Sequence, residues 1–95
     1  MSENQLYYCY MLCNKNRTVL YIGYTDNLKR RISQHKNGNG ALFTKKYSVF
    51  DLVYFESFVK KKEAKKREKQ LKNWRKDWKW DLVKGMNPDL KILEI

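Results

Sequence analysis

The sequence predicts an α/β domain, a small three-stranded antiparallel sheet flanked by helices in the order β-β-α-β-α, with a terminal helical extension. Three observations carry this. The segments L-Y-Y-C-Y-M-L-C (residues 6–13) and V-L-Y-I-G-Y (residues 19–24) are apolar and aromatic on both faces and are separated by the turn-prone N-K-N-R. The segments L-K-R-R-I-S-Q-H and K-K-K-E-A-K-K-R-E-K-Q-L-K-N-W carry apolar residues at helical spacing. Between them D-L-V-Y-F-E-S-F reads as the third strand. At 95 residues the whole chain, residues 1–95, forms one domain with a single modest core.

The first two segments read as a buried β-hairpin. With residues 14–17 as the turn, Cys13 pairs with Thr18 and Tyr10 falls opposite Tyr21, which sets both phenols on one face. A one-residue slip would separate them. Asp26 or Asn27 caps the helix that follows, which runs to about Lys36 before N-G-N-G ends it. Residues 37–48, with two glycines and with Lys45 and Lys46, read as a mobile basic loop. After the third strand a lysine-rich helix spans about residues 61–75. Residues 77–84 extend it or form a short third helix, and residues 85–88 end it. Trp74 and Trp78, at helical spacing, are expected to cover the sheet as core. No repeat, linker or second domain is seen.

Charge narrows the partner. Lys and Arg total 21 against 10 Asp and Glu, a formal net charge of +11, which is more than solubility requires. It argues for a polyanion, with nucleic acid ahead of a membrane surface. No long apolar span occurs, and M-S-E-N-Q lacks a basic region followed by an apolar stretch, so the expected localisation is cytoplasmic, with no membrane partner. Cys9 and Cys13, four apart in one strand, stand roughly 13 Å apart and beyond disulfide reach. Free thiols follow, and no second Cys or His cluster completes a thiolate metal site.

On a helical wheel Leu28 and Ile32 face inward, His35 lies on their edge and Arg31 about 40° beyond it, while Arg30 points away. Arg31 and His35, four apart, can therefore address one substrate. In the lysine-rich helix Ala64 and Leu71 mark the inward stripe, and Glu68 lies within about 40° of Ala64. A carboxylate there needs a partner or a metal. Around the polar side run Lys61, Lys72, Lys65, Lys76, Lys69, Lys62 and Lys66, an arc suited to a phosphate backbone. Singly, each feature has an ordinary structural explanation: sheet aromatics, an ion pair, a boundary histidine, a solvated cationic face.

Taken together, Y-x10-Y-I-G-x7-R-x3-H followed by E-A-x3-E-x2-L-K resembles the GIY-YIG endonuclease superfamily, in particular its small stand-alone bacterial members. The match runs from about Leu6 to Pro88. One departure is plain: the family's Gly-Ile-Tyr stands here as Tyr8-Cys9-Tyr10, with the Tyr kept and the Gly replaced. The resemblance implies a metal-dependent DNA endonuclease that cuts one strand at a time. In it Glu68 holds a single Mg²⁺ or Mn²⁺ and Arg31 grips the phosphate. One phenol, Tyr10 or Tyr21, orients or deprotonates the water while the other bonds the phosphate, and His35 shares the proton transfer or orients a phenol. The sequence leaves the base open among Tyr10, Tyr21 and His35. A free phenol, with a pKa of about 10, needs a neighbouring cation to serve at neutral pH. Asn87 is the further family match after the metal-binding helix, with Asn73 as its alternative.

No groove-reading module is present, so selection by DNA shape or single-strandedness is expected, single-stranded or branched DNA being favoured and RNA also possible. The rival reading is a DNA- or RNA-binding module on the same fold with little or no turnover, for which the bulk of Tyr8 speaks. A third is an RNA-associated structural protein.

Overall fold

The computed structural model describes residues 5–95. Its elements are β1 (Tyr7–Asn14), β2 (Leu20–Thr25), α1 (Leu28–Lys36), α2 (Leu42–Tyr47), β3 (Val49–Phe58), α3 (Lys61–Lys72) and α4 (Lys76–Met86). The sheet is antiparallel in the order β2-β1-β3. A central β1 accounts for its two apolar faces. Cys9, Met11 and Cys13 pack with Ile22, Val53, Leu71 and Val83 under α3 and α4. Tyr10 and Leu12 pack on the opposite face with Leu28, Ile32, Val49 and Leu52 under α1. Both cysteines are buried and free. Burial pushes the Cys9 thiol up to about 12, with Glu56 adding to it, and raises Cys13 as well, so neither is a nucleophile.

The hairpin register differs from the expected one. Cys13 pairs with Leu20, Tyr10 with Gly23, and Leu12 with Tyr21. The loop lies one residue later than expected because Asn14 closes it from within the strand. Its backbone N–H donates to Val19 O, and its side-chain Oδ1 accepts from the N–H groups of Thr18 and Val19. Arg17 takes the left-handed conformation, φ 59°, that such a loop demands. Displacing a loop by one residue moves the register by two, so every side chain keeps its face. Tyr10 and Tyr21 therefore share a face as diagonal neighbours, with ring centroids 6.3 Å apart. A β-bulge opposite Met11 and Leu12 lets both Val53 and Tyr54 join the α3/α4 face.

Three further expectations are corrected. The supposed mobile loop contains α2, closed by Ser48 in the left-handed region, φ 55°, whose N–H donates to Thr44 O. The lysine-rich helix stops at Lys72, where Asn73 N–H bonds back to Gln70 O and Leu71 O, and a separate α4 begins at Lys76. The break lets Trp74 and Trp80 pack on the core, whereas Trp78 stays 48% exposed. Gly85 lies inside α4, and Asn87 is its C-cap. The α1 cap is Asn27, whose Oδ1 accepts from Arg30 N–H.

Two half-buried ion pairs fix the frame. Arg67 holds Glu56 through Nε and Nη2, both at 3.0 Å, and Tyr54 donates to the same carboxylate, which locks α3 to β3. Arg17 bonds Asp51 at 2.6 Å and Leu90 O at 3.0 Å, tying the hairpin loop to β3 and to the tail. Leu93 N–H then donates to Leu52 O, covering part of the free edge of β3.

Candidate active site

Tyr10, Tyr21, Arg31 and His35 converge on the α1 face of the sheet. His35, one turn after Arg31, is completely buried rather than at a boundary. Its Nε2 lies 3.0 Å from Tyr10 Oη and its Nδ1 2.9 Å from Thr44 Oγ1. The Thr44 hydroxyl donates its one proton to Ala41 O, so toward His35 it accepts. Nδ1 therefore carries the imidazole proton, Nε2 is bare, and Tyr10 O–H donates to it. The Tyr10 and Tyr21 rings stand 5.9 Å and 5.4 Å from the imidazole.

Two glycines make this packing possible. A Cβ on Gly23 would lie 2.6 Å from Tyr10 Oη and 2.7 Å from its Cζ. One on Gly40 would lie 2.3 Å from His35 Nδ1. The Gly of Tyr-Ile-Gly is thus the bed for the opposing phenol. Gly23→Ala is expected to cost about 1–3 kcal/mol by urea denaturation. Gly85→Ala, where nothing lies within 4 Å, is expected to gain roughly 0.5–1 kcal/mol.

Electrostatics at the site follow from burial. It pushes the Tyr10 hydroxyl up to about 12 and outweighs the Arg31 guanidinium, which stands against the phenol and pulls the other way. It also holds His35 down at about 4, with the Arg31 charge adding to the effect. The sequence-based expectation that a neighbouring cation lowers a phenol is met in direction by Arg31 but not in balance. A consequence for stability can be measured. The unfolded chain binds a proton at His35 below about 6.5 and the folded chain only near 4, so stability is lost as pH falls through that window, by roughly 3 kcal/mol in all. The melting temperature should decline between pH 6.5 and 4, and His35→Gln should remove this part of the slope.

Glu68 stands on α3, whose inward stripe packs on the other face of the sheet. Its charge acts on Tyr10, raising it further, and its Oε2 lies 3.3 Å from Lys72 Nζ with the carboxylate side chain 19% exposed. Among the described residues no three His, Cys, Asp or Glu cluster. A cage of protein ligands is therefore not on offer. One partly exposed carboxylate in a lysine-lined groove does fit Mg²⁺ or Mn²⁺ held mainly by waters and by oxygens of a bound phosphate.

The cationic residues divide among three helices. Lys61, Lys65, Lys69 and Lys72 are exposed on α3, whereas Lys76 opens α4 and leaves the expected arc; Lys45 and Lys46 sit on α2. Lys62, Lys65, Lys66, Lys69 and Lys72 line a shallow groove of ≈ 650 Å³ with Glu68. Lys65 Nζ lies 5.7 Å from the centroid of Tyr24, on the β2 edge. Arg31 and Lys61 line a second groove with Asp26 and Gln34.

Asn87 is placed apart from the phenols' network. Its Nδ2 donates to Val53 O and Lys91 O, and its Oδ1 accepts from Lys91 N–H, so its amide is occupied by backbone. Tyr8 lies edge-on to Phe55, ring centroids 6.2 Å apart, and packs against the cluster that holds Tyr10. Thr44, Ala41 and Gly40 were missed by the sequence reading. No local signal marks them, since their roles arise only when residues 37–48 fold over His35.

Comparison with known proteins adds three findings. The family model described as the GIY-YIG catalytic domain matches residues 6–81. A UPF0213 protein of Clostridium perfringens is 42% identical over 76 residues, 80% of this chain and 81% of that one. Another, of Oceanobacillus iheyensis, is 35% identical over 69 residues, 73% of this chain and 79% of that one. The solution NMR structure of a UPF0213 protein from Bacillus halodurans is similar with a TM-score of 0.57 and 33% identity, covering 88% of each chain.

Proposed function

We propose that this chain, which belongs to the GIY-YIG catalytic-domain family, a family of endonucleases, is a divalent-metal-dependent DNA endonuclease that cuts one strand at a time and prefers single-stranded or branched DNA. The observation that carries this reading is the buried Tyr10–His35 hydrogen bond of 3.0 Å, with Arg31 and Glu68 both acting on the same phenol.

In this reading Tyr10 is the base. As water attacks phosphorus, its proton passes to Tyr10 Oη while the phenol proton moves to the bare His35 Nε2. The bond from phosphorus to the leaving oxygen breaks, and that oxygen takes a proton from solvent. Thr44 and Ala41 O hold the imidazole in the tautomer this transfer needs. Arg31 bonds the non-bridging phosphate oxygens, and Tyr21, half-exposed beside it, orients the phosphate. A divalent cation at Glu68 would stabilise the developing charge and assist the leaving oxygen. Asn87 serves as the C-cap that holds α4 and the tail in place. The lysines of α2 and α3 bind the flanking phosphates.

Tyr8, in place of the family glycine, pairs edge-on with Phe55 and packs against the same core cluster as Tyr10, so its bulk is part of the wall beside the phenols. The test is cleavage of end-labelled single-stranded, duplex and branched DNA with Mg²⁺, Mn²⁺ or excess EDTA. Cutting confined to metal-containing lanes, strongest on single-stranded or branched DNA, is the expected result. Intact DNA in every metal-containing lane, with shifted bands at low salt, overturns it in favour of a binding module.

A further inference from the structure

The exposed face of α2 has no role in the proton chain just described. Leu42, Phe43 and Tyr47 are 87%, 42% and 46% exposed and belong to neither core cluster. They are continuous with the site: Phe43 stacks on Tyr21 at 6.0 Å with the planes 28° apart, and Tyr47 follows Phe43 at 4.9 Å. Lys45 and Lys46 flank the rings, and Lys46 Nζ lies 5.4 Å from the Tyr47 centroid. The helix is not loosely attached, because Thr44 on its inner side is buried and bonded to His35. Two aromatic rings on a fixed helix thus lead outward from Tyr21, rimmed by positive charge.

We infer that Phe43 and Tyr47 form a stacking platform for unpaired bases of single-stranded DNA next to the phosphate to be cut. The inference rests on the nuclease reading for which phosphate is cut, and adds how the strand is recognised. Charge complementarity selects the occupant, since lysines beside the rings and a net charge of +11 suit a polyanion that also offers flat π faces. In a duplex those faces are covered by neighbouring bases, so the platform distinguishes unpaired from paired DNA without reading sequence.

The test is fluorescence anisotropy in EDTA, where binding is read without cleavage, with a labelled single-stranded oligonucleotide and the corresponding blunt duplex over a salt series. The doubly substituted Phe43→Ala, Tyr47→Ala protein is expected to bind the single strand about tenfold more weakly. Its affinity for duplex and its salt slope should be unchanged, because no phosphate contact is lost. Phe43→Tyr with Tyr47→Phe, which keeps both rings, should bind as the parent does. Equal loss on both substrates, no loss on the single strand, or self-association of the parent abolished by the alanine substitutions would overturn the inference. If the parent cuts DNA while the alanine variant binds normally, the platform fails and the nuclease stands. Selective loss of single-strand binding with no cleavage in any metal-containing lane gives the reverse.

Discussion

Replacing Glu68 by alanine is expected to lower DNA cleavage by about 10³-fold or more, since a bound divalent cation contributes several kcal/mol to phosphoryl transfer. Binding should move the other way. Glu68 is an acid among lysines, and its partner Lys72 lies 3.3 Å away. Removing the carboxylate frees Lys72 for phosphate, so affinity for single-stranded DNA in EDTA should hold or tighten by a few-fold and the salt slope should steepen. Fold stability should change little, because the side chain is partly exposed on a helix and alanine is the best helix former. Rates are read by gel and affinities by anisotropy, with Glu63→Ala, an exposed change in the first turn of the same helix, as the comparison. A Glu68→Ala protein that still cuts would overturn the assignment of the metal site. One that loses cutting and binding together would point to damage wider than one carboxylate.

How far the sequence foretold this arrangement depends on the range over which each residue's position is determined. The strands, α1 and the inward stripe of α3 were legible because periodicity and caps are local. The shared face of Tyr10 and Tyr21 was legible too, since an error of two in register preserves the face. The register itself was not, because Asn14 closes the loop with its own side chain and no composition rule distinguishes residues 14–17 from residues 15–18 as the turn. His35 was found by motif, but its complete burial was not: the cover comes from Gly40, Ala41 and Thr44, in a segment whose glycines read as a loop. The break between Lys72 and Lys76 was hidden because no Gly or Pro marks it and Trp74 continues the helical spacing of Leu71. It is imposed from outside, by the core's demand for Trp74 and Trp80. Asn87 matched a family position, yet its hydrogen bonds go to β3 and the tail, partners that sequence spacing cannot specify.

Tyr10→Phe is expected to reduce cleavage by roughly 10²–10⁴-fold, the range for a positioned general base. The ring is kept, so the packing over Gly23 is kept, but His35 Nε2 loses its donor inside a fully buried site. An unpaired buried acceptor costs about 1–3 kcal/mol, so the variant should also unfold at lower urea. Activity must therefore be compared well below the melting temperature, where the folded fraction is complete. Tyr21→Phe separates the two phenols: Tyr21 is not the donor to His35, and its loss should leave stability nearly unchanged while weakening phosphate positioning. The decisive comparison is a double-substitution cycle. If Tyr10 and His35 act as one proton chain, His35→Gln added to Tyr10→Phe should slow the reaction little further, since the first change has already broken the chain. Rate losses that instead multiply would mean the two residues act independently, and the base would then have to be sought at Tyr21.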